Sequence, residues 1–223
     1  MWLIEATRHN VLPLDDRGIE RALPEFAGRP TLVKGNRQPL FGGMSRLSEN
    51  SVVNIKNKLH PVTAEVVVPD GGAQGVMVAK GGGVGGWSLD VRDGKPATVT
   101  TSWASSASTS TPTARSRRAR TRFEWISPTR AEGLGKGGVV ELFVDGDVVG
   151  KGTVAATAAM VFSADDTCDV GKEGGALVAD DYPVPNDLAG QINWVEIDVA
   201  EAAENTDHLI SPEERLRIAM ARQ

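Results

Sequence analysis

Acidic residues with the chemistry of calcium ligands are concentrated in the last third of the chain. Asp165–Asp166, Asp169 and Asp180–Asp181 offer carboxylate oxygens, which are the ligands that Ca²⁺ prefers in proteins. Their spacing does not match the twelve-residue loop that makes a calcium prediction specific. The alternative interpretation is that these aspartates are solvated loop charges, so the segment predicts a calcium site only as one of two possibilities.

Three other segments contain residues that could bind a ligand or act on one. Asp15–Asp16 lies in a proline-flanked loop, where paired aspartates form turns more often than they act in acid–base catalysis. Gly81–Gly86 is glycine-rich, but it lacks the Gly-Lys-Ser/Thr ending of a phosphate-binding loop and opens no helix, which favours a flexible hairpin. Trp87 is a candidate for stacking on a sugar ring, although a tryptophan inside a strand more often belongs to the core.

The single cysteine and the one basic cluster add little chemistry. Cys168 excludes an internal disulfide and fits a reducing compartment. No neighbour in the sequence would lower the pKa of its thiol, so we predict an unreactive loop thiol. Arg115–Arg122 would form an anion-binding patch if it belongs to the folded protein.

Composition excludes several classes of function. The net charge of −5 and the pI near 5.3 argue against a general nucleic-acid-binding protein. No segment approaches the roughly 20 apolar residues of a membrane helix, and the first residues lack the features of a signal peptide. We therefore expect a cytoplasmic protein that has neither nucleic acid nor a membrane as its partner.

The elements that must position these residues are short β-strands. Glycine and aspartate turns separate the strands, and no βαβ pattern occurs. This organisation predicts a mainly β protein, an antiparallel lectin-like (jelly-roll) sandwich. The predicted strands are Val62–Val68, Gly75–Lys80, Gly86–Val91, Val139–Val144, Val148–Val154, Ala158–Phe162 and Gly190–Val199.

Three regions follow from the same pattern. Residues 1–57 are rich in proline and glycine and predict an irregular, loop-rich connector. Residues 58–200 form the predicted sandwich domain, and residues 201–223 form a tail. Ser211 is a good N-cap with Pro212 at the first helical position, which predicts a short C-terminal helix.

Residues 98–132 interrupt the strand pattern. From Thr98 to Thr113, eleven of sixteen residues are Ser or Thr, and the next nineteen residues contain six arginines and no lysine. The simple interpretation is a flexible, disordered linker followed by a basic patch. Back-translation supports an alternative, because the shifted frame has the apolar alternation of two strands joined by a Pro/Gly turn. We therefore hypothesise a frameshift that opens near Thr98 and closes near Gly133, which would leave the arginine patch without a function.

Six segments of the chain carry a family resemblance: Asn10–Arg17, Lys56–Val66, Gly85–Leu89, Gly133–Gly138, Leu142–Gly146 and Asp180–Pro185. They resemble the C-terminal region of the large bacterial arylsulfatases of the type I sulfatase family. The resemblance spans roughly Trp2 to Val199, apart from residues 98–132. It implies a truncated sulfuric ester hydrolase, in which residues 1–57 end the catalytic domain and that domain is the partner of the sandwich.

The resemblance also implies that the catalytic groups are absent. Type I sulfatases use a formylglycine formed in a Cys-x-Pro-x-Arg motif together with Ca²⁺ or another divalent cation. Cys168 is followed by Asp-Val-Gly-Lys and does not match that motif. The histidines match no family position either; they are His9, His60 and His208. We therefore predict no catalytic, cofactor-binding or metal-binding residue in this chain, and no turnover by the chain alone.

A second hypothesis belongs to a different class of function. In it the chain is an independent carbohydrate-binding β-sandwich module, which recognises a carbohydrate or sulfated ligand through Trp87 and the neighbouring loops. This hypothesis predicts a cooperatively folding domain over Val62–Val199 with measurable glycan binding.

Overall fold

The computed structural model describes residues 1–11, 32–56, 58–102, 105–110, 120–127, 136–158, 162–163, 166–181 and 185–199, with only the backbone described for 105–110, 120–127 and 136. The chain divides into two units, Met1–Thr31 and Leu32–Gln223. In the first unit, helix α1 spans Trp2–Arg8, with Glu5 early and Arg8 late, as the helix dipole favours. No helix within the described ranges is both long enough and apolar enough to cross a membrane.

The second unit contains two antiparallel sheets. A six-stranded sheet has the order β1-β11-β2-β7-β8-β9, and a five-stranded sheet has the order β10-β3-β4-β5-β6. A 3₁₀ turn spans Glu49–Ser51. The strands are β1 (Arg37–Leu40), β2 (His60–Val67), β3 (Gly75–Gly82), β4 (Gly85–Arg92), β5 (Lys95–Ser102), β6 (Ser105–Ser110), β7 (Arg120–Ser127), β8 (Lys136–Val144), β9 (Asp147–Ala156), β10 (Cys168–Val170) and β11 (Gln191–Asp198).

Every second side chain along the strands of the six-stranded sheet packs into the space between the two sheets. In β2 buried and half-buried residues alternate through all eight positions, as a strand with one core-facing side requires. Val62 pairs with Ile197 of β11 in register, and both side chains are fully buried. The main core contains Val62, Val66, Trp87, Leu89, Leu142, Val195 and Ile197, among others.

The five-stranded sheet is buried on both of its faces. All eight residues of β3 and the first seven of β4 are buried, which a single core on one face cannot explain. A second, smaller apolar cluster covers the other face. Its buried members are Val76, Ala79, Val99, Val178 and Ala179.

The predicted mainly β, antiparallel architecture is confirmed, and most of the predicted strands are present. Two predicted Gly/Asp turns also occur, with positive φ at Asp93 and Gly94 and at Asp145 and Gly146, as tight hairpin turns require. The strand predicted over Ala158–Phe162 is not observed at either end residue, and residues 159–161 lie outside the described ranges. Strands β1, β5, β6, β7 and β10 are not among the predicted strands.

The described parts of residues 98–132, which are 98–102, 105–110 and 120–127, take part in both sheets. Strand β5 continues to Ser102, β6 pairs with it, and β7 pairs with β2 along its whole length, from His60 opposite Ser127 to Val67 opposite Arg120. The frameshift hypothesis concerns the gene and stays a prediction. Outside the described ranges lie Asp15–Asp16, Arg115 and the helix predicted after Ser211.

Candidate functional site

Trp87 lies in the core of the sandwich and cannot contact a ligand. Its side chain is 1% exposed. In register it lies between Lys80 of β3 and Thr100 of β5, on the core-facing side of the five-stranded sheet. The interpretation of Trp87 as a sugar-stacking residue is therefore wrong, and the core interpretation is confirmed.

Gly81–Gly86 forms the hairpin that joins β3 to β4. Gly81 has a φ of +81°, and a Cβ atom there would collide with the carbonyl oxygen of Gly85. A Cβ at Gly86 would lie 2.6 Å from the carbonyl oxygen of Lys80. Close approach of the two strands accounts for these glycines, which supports the hairpin interpretation.

Two aspartates of the calcium hypothesis, Asp166 and Asp169, bind separate backbone groups, and Asp165 lies outside the described ranges. Asp166 Oδ1 accepts a hydrogen bond from the amide of Ala176 at 3.1 Å. Asp169 accepts hydrogen bonds from the amides of Arg46 at 2.7 Å and Gly174 at 3.3 Å. Among the residues that the structure describes, no group of three or more His, Cys, Asp or Glu is arranged to hold a metal ion. These carboxylates order the loops around β10.

Cys168 lies on β10 and is completely buried, so its predicted placement in a loop is wrong. Burial raises the pKa of its thiol to about 12, and the nearby Lys80 ammonium opposes that rise only in part. The thiol is thus protonated at neutral pH, which agrees with the predicted lack of reactivity.

Two lysines lie buried at one end of the core. The side chains of Lys56 and Lys80 are 4% and 1% exposed, and both ammonium groups pair with the carboxylate of Glu49. Both also lie over the ring of Phe162, at 5.3 and 5.2 Å from its centroid. Burial favours a higher pKa for Glu49, but the two lysines outweigh burial and lower it. This ion triad fastens the 3₁₀ turn to β3 and offers no access to a ligand.

An extra residue in β11 creates the most promising surface for ligand binding. Ile192 is in register with Val66 of β2 and Trp194 is in register with Glu65, so Asn193 has no partner of its own in the ladder. This is a β-bulge, in which two residues of one strand oppose one residue of the next. Bulges redirect side chains, and they are common beside functional sites.

The bulge brings an indole, an amide and a carboxylate together on the outer face of the six-stranded sheet. Ala64 and Val66 of β2 are fully buried in the core, so the half-buried Glu65 lies on the opposite face. Asn193 Nδ2 donates a hydrogen bond of 2.8 Å to Glu65 Oε1. Trp194 is half-buried in the same row. We call these three residues, Glu65, Asn193 and Trp194, the bulge site.

Charged residues flank the bulge site. Arg37 of β1 donates hydrogen bonds to Asp198 Oδ2 from Nε at 3.0 Å and from Nη2 at 2.6 Å. Its Nε also lies 3.7 Å from Glu196 Oε1. The hydrogen bond with Asp198 raises the pKa of Arg37 further. On the other side of Glu65, Arg122 of β7 occupies the next register position.

The bulge site was not predicted from the sequence, although one signal was present. Buried Val195 and Ile197 alternate with Trp194 and Glu196 in the predicted strand Gly190–Val199, which assigns the tryptophan to the outer face. The extra residue Asn193 leaves no such signal.

No family model matches the chain, and no curated protein matches it either. Solved structures with a similar fold include the CBM40 domain of the Ruminococcus gnavus IT-sialidase bound to alpha2,3 sialyllactose, with a TM-score of 0.48 and 11% identity over 85% of this chain and 98% of that one. Domains LG4-5 of the mouse laminin alpha1 chain have a TM-score of 0.41 and 13% identity over 74% of this chain and 40% of that one. The leech intramolecular trans-sialidase has a TM-score of 0.43 and 12% identity over 83% of this chain and 27% of that one.

Two of the predictions can now be scored. The predicted antiparallel β-sandwich fold is confirmed by the order and pairing of the strands in the two sheets. The resemblance to arylsulfatases is wrong, because the structural neighbours are CBM40, sialidase and laminin domains and no sulfatase supports it. The interpretation as a fragment of a sulfuric ester hydrolase is wrong with it, and the frameshift hypothesis loses the family pattern that supported it.

Proposed function

We propose that this chain is a carbohydrate-binding β-sandwich module and that its ligand binds at the bulge site. The observation that carries the proposal is the grouping of Trp194 with the hydrogen-bonded pair Asn193 and Glu65 on a face turned away from the core. A half-buried tryptophan there is available for contact, whereas Trp87 is enclosed.

The three side chains match the two kinds of surface that a sugar presents. A pyranose ring has an apolar face of C–H groups, and the indole of Trp194 offers a flat apolar surface on which that face can stack. Its hydroxyl groups both donate and accept hydrogen bonds. The carboxylate of Glu65 accepts them, and the amide of Asn193 can do both.

The hydrogen bond between Asn193 and Glu65 supports the proposal in a second way. It fixes the orientation of both side chains before a ligand arrives. A site that is already ordered loses less conformational entropy on binding, which favours affinity. Both groups also lie on paired strands of the sheet, so the backbone beneath them is held by the ladder.

The proposal is tested with purified protein on a glycan array, followed by calorimetric titration of the best ligand. We expect Trp194→Ala to weaken binding at least about tenfold, because a central aromatic contact of this kind is worth about 1.4 kcal/mol or more. The matched control is Trp2→Ala, which removes an exposed tryptophan from α1. The proposal is wrong if the folded wild-type protein binds no glycan, or if Trp194→Ala binds as tightly as wild type.

A further inference from the structure

The described residues between β10 and β11 lie across the outer face of the five-stranded sheet. We call the described part of this connection, residues 171–181 and 185–189, the strap. Hydrogen bonds tie both of its ends to β3 and the residue before it. These are Gly171 N to Met77 O at 2.9 Å, Val76 N to Asn186 O at 2.9 Å and Ala189 N to Gln74 O at 2.7 Å.

Beneath the strap the sheet presents both apolar and polar side chains. Ala79, Ser88 and Val99 form one row in register across β3, β4 and β5. Val178 and Ala179 of the strap pack on the apolar members of this face. Ser88 and Asp90 are fully buried beneath the strap although both are polar. The strap therefore covers a face that would otherwise expose both apolar and polar side chains to water.

Glu173 is the residue through which the strap is held together. Its Oε1 accepts a hydrogen bond from the amide of Val178 at 2.7 Å. Its own amide donates to Asn186 Oδ1 at 2.9 Å, and its carbonyl oxygen accepts from Asn186 Nδ2 at 3.2 Å. The side chain is 7% exposed, and within the described residues its Oε2 is buried without a hydrogen-bond partner.

The charged groups around Glu173 are mostly acidic. Asp90 of β4, Asp169 of β10 and Asp166 before β10 all act on it electrostatically. Arg92 of β4 pairs with two of the acidic residues on this face: its Nε lies 2.6 Å from Asp90 Oδ2, and its Nη1 pairs with Asp181 of the strap. If Glu173 were ionised, its negative charge would thus be buried among other negative charges.

We propose that the strap is a pH-sensitive cover, held closed while the carboxyl group of Glu173 carries a proton and loosened when that proton is lost, so that the row of Ser88, Asp90 and Arg92 becomes accessible. The outer face of the five-stranded sheet would then act as a second, conditional surface, separate from the bulge site.

The direction of the effect follows from the pKa of Glu173. Burial is the largest cause that raises this pKa to about 8 in the closed state, and the three aspartates add to it. Once the strap is open, the carboxyl group is in water, with a pKa near its ordinary value of 4.5. Closure therefore takes up a proton between these two pH values. The closed state is most stable below pH 4.5, and its stability relative to the open state falls as the pH rises towards 8.

Hydrogen–deuterium exchange of the strap amides tests this proposal directly. After correction for the intrinsic exchange rate, we expect opening of the strap, followed at the amides of Gly174, Ala176 and Val178, to increase by up to about tenfold per pH unit from about pH 5 to about pH 8, and then to level off. The amides of β2 and β11 serve as an internal reference, because their ladder does not depend on Glu173.

Two variants distinguish the ionisation of Glu173 from a general effect of pH on the fold. Glu173→Gln keeps an oxygen for the amide of Val178 and cannot ionise, so strap exchange should become independent of pH. Glu141→Gln changes a half-buried glutamate of the other sheet that pairs with Lys151 at 2.5 Å, and it should leave the wild-type pH dependence intact. Strap exchange in the wild type that shows no pH dependence would overturn the proposal, and so would the same dependence in Glu173→Gln. Because the wild-type profile alone can refute it, poor folding of a variant does not protect the proposal.

Discussion

Asn193 and Glu65 belong to strands that are distant in sequence, and a hydrogen bond of 2.8 Å from the amide of the first to the carboxylate of the second joins them on the outer face of the sheet. The bond exists because β11 contains an extra residue, Asn193, between Ile192 and Trp194, which pair with the adjacent residues Val66 and Glu65 of β2. An irregularity in the ladder thus creates the polar half of the bulge site.

Replacing Glu65 by alanine should weaken glycan binding at least about fivefold while leaving the fold unchanged. The substitution removes the acceptor for sugar hydroxyl groups and frees Asn193 to rotate, and hydrogen bonds to charged groups contribute about 1.5 to 3 kcal/mol. Calorimetric titration measures the change. Glu141→Ala, on the same sheet, is the control and should bind as wild type. Equal affinity of Glu65→Ala and wild type would remove Glu65 from the site.

Replacing Trp87 by alanine should lower the free energy of unfolding by about 3 to 5 kcal/mol. The side chain is 1% exposed and packs within the main core, so its removal leaves a cavity between the sheets. Urea denaturation followed by circular dichroism measures the loss. In contrast, Trp2→Ala should change stability by less than about 0.5 kcal/mol, because Trp2 is 58% exposed. A small effect at Trp87 would contradict its position in the core.

Replacing Glu49 by glutamine should lower the free energy of unfolding by about 3 to 5 kcal/mol, because two buried ammonium groups then lose their common counter-ion. Glu141→Gln, which breaks the partly exposed ion pair with Lys151, should cost less than about 1 kcal/mol. Urea denaturation of both variants at neutral pH gives the comparison. If the two losses are equal, Lys56 and Lys80 do not depend on Glu49.

His60 should make the fold sensitive to acid. Burial lowers its pKa from 6.5 to about 4, against the opposing effect of the Lys58 carbonyl oxygen, which lies 2.7 Å from Nδ1. The unfolded chain therefore binds a proton at a higher pH than the folded chain does. Stability conferred by the neutral ring is complete above pH 6.5 and is lost as the pH falls through 4.

Urea midpoints of wild type and His60→Gln, measured across this range, test that assignment. The variant should lose part of the acid sensitivity, although carboxylates elsewhere contribute at the lowest pH. Identical pH profiles for the two proteins would show that His60 is not buried in its neutral form.

Local sequence patterns predict the regular parts of this fold well. Alternation in β2 and Asp-Gly turns at residues 93–94 and 145–146 identify strands and hairpins because each depends on near neighbours in the chain. Within β11, alternation also assigns Trp194 to the outer face. These features are set by the pleat of a strand and by the φ angles of a turn, which residue types reveal.

The other features depend on segments that are distant in sequence, and such contacts leave no local pattern in the chain. Asp90 and Ser88 have the composition of solvent-facing positions, yet a strap about ninety residues later buries both. The role of Glu173 depends on Asp90 and Asp169, which reach it from two different strands. The bulge at Asn193 is visible only when β11 is aligned with β2. Trp87 is a candidate for ligand contact on residue type alone, and its burial becomes visible only when both sheets are in place.

The bulge also separates a residue of the proposed binding surface, Asn193, from the residues that determine how β11 pairs with β2. Ile192 and Trp194 already occupy consecutive register positions opposite Val66 and Glu65, so a chain that lacks Asn193 would form an unbroken ladder with every other residue of β11 in place. An insertion or deletion elsewhere in the strand would instead turn Val195 and Ile197 out of the interior. Asn193 is thus a position at which the proposed binding surface can change while the pairing of the surrounding strand stays the same.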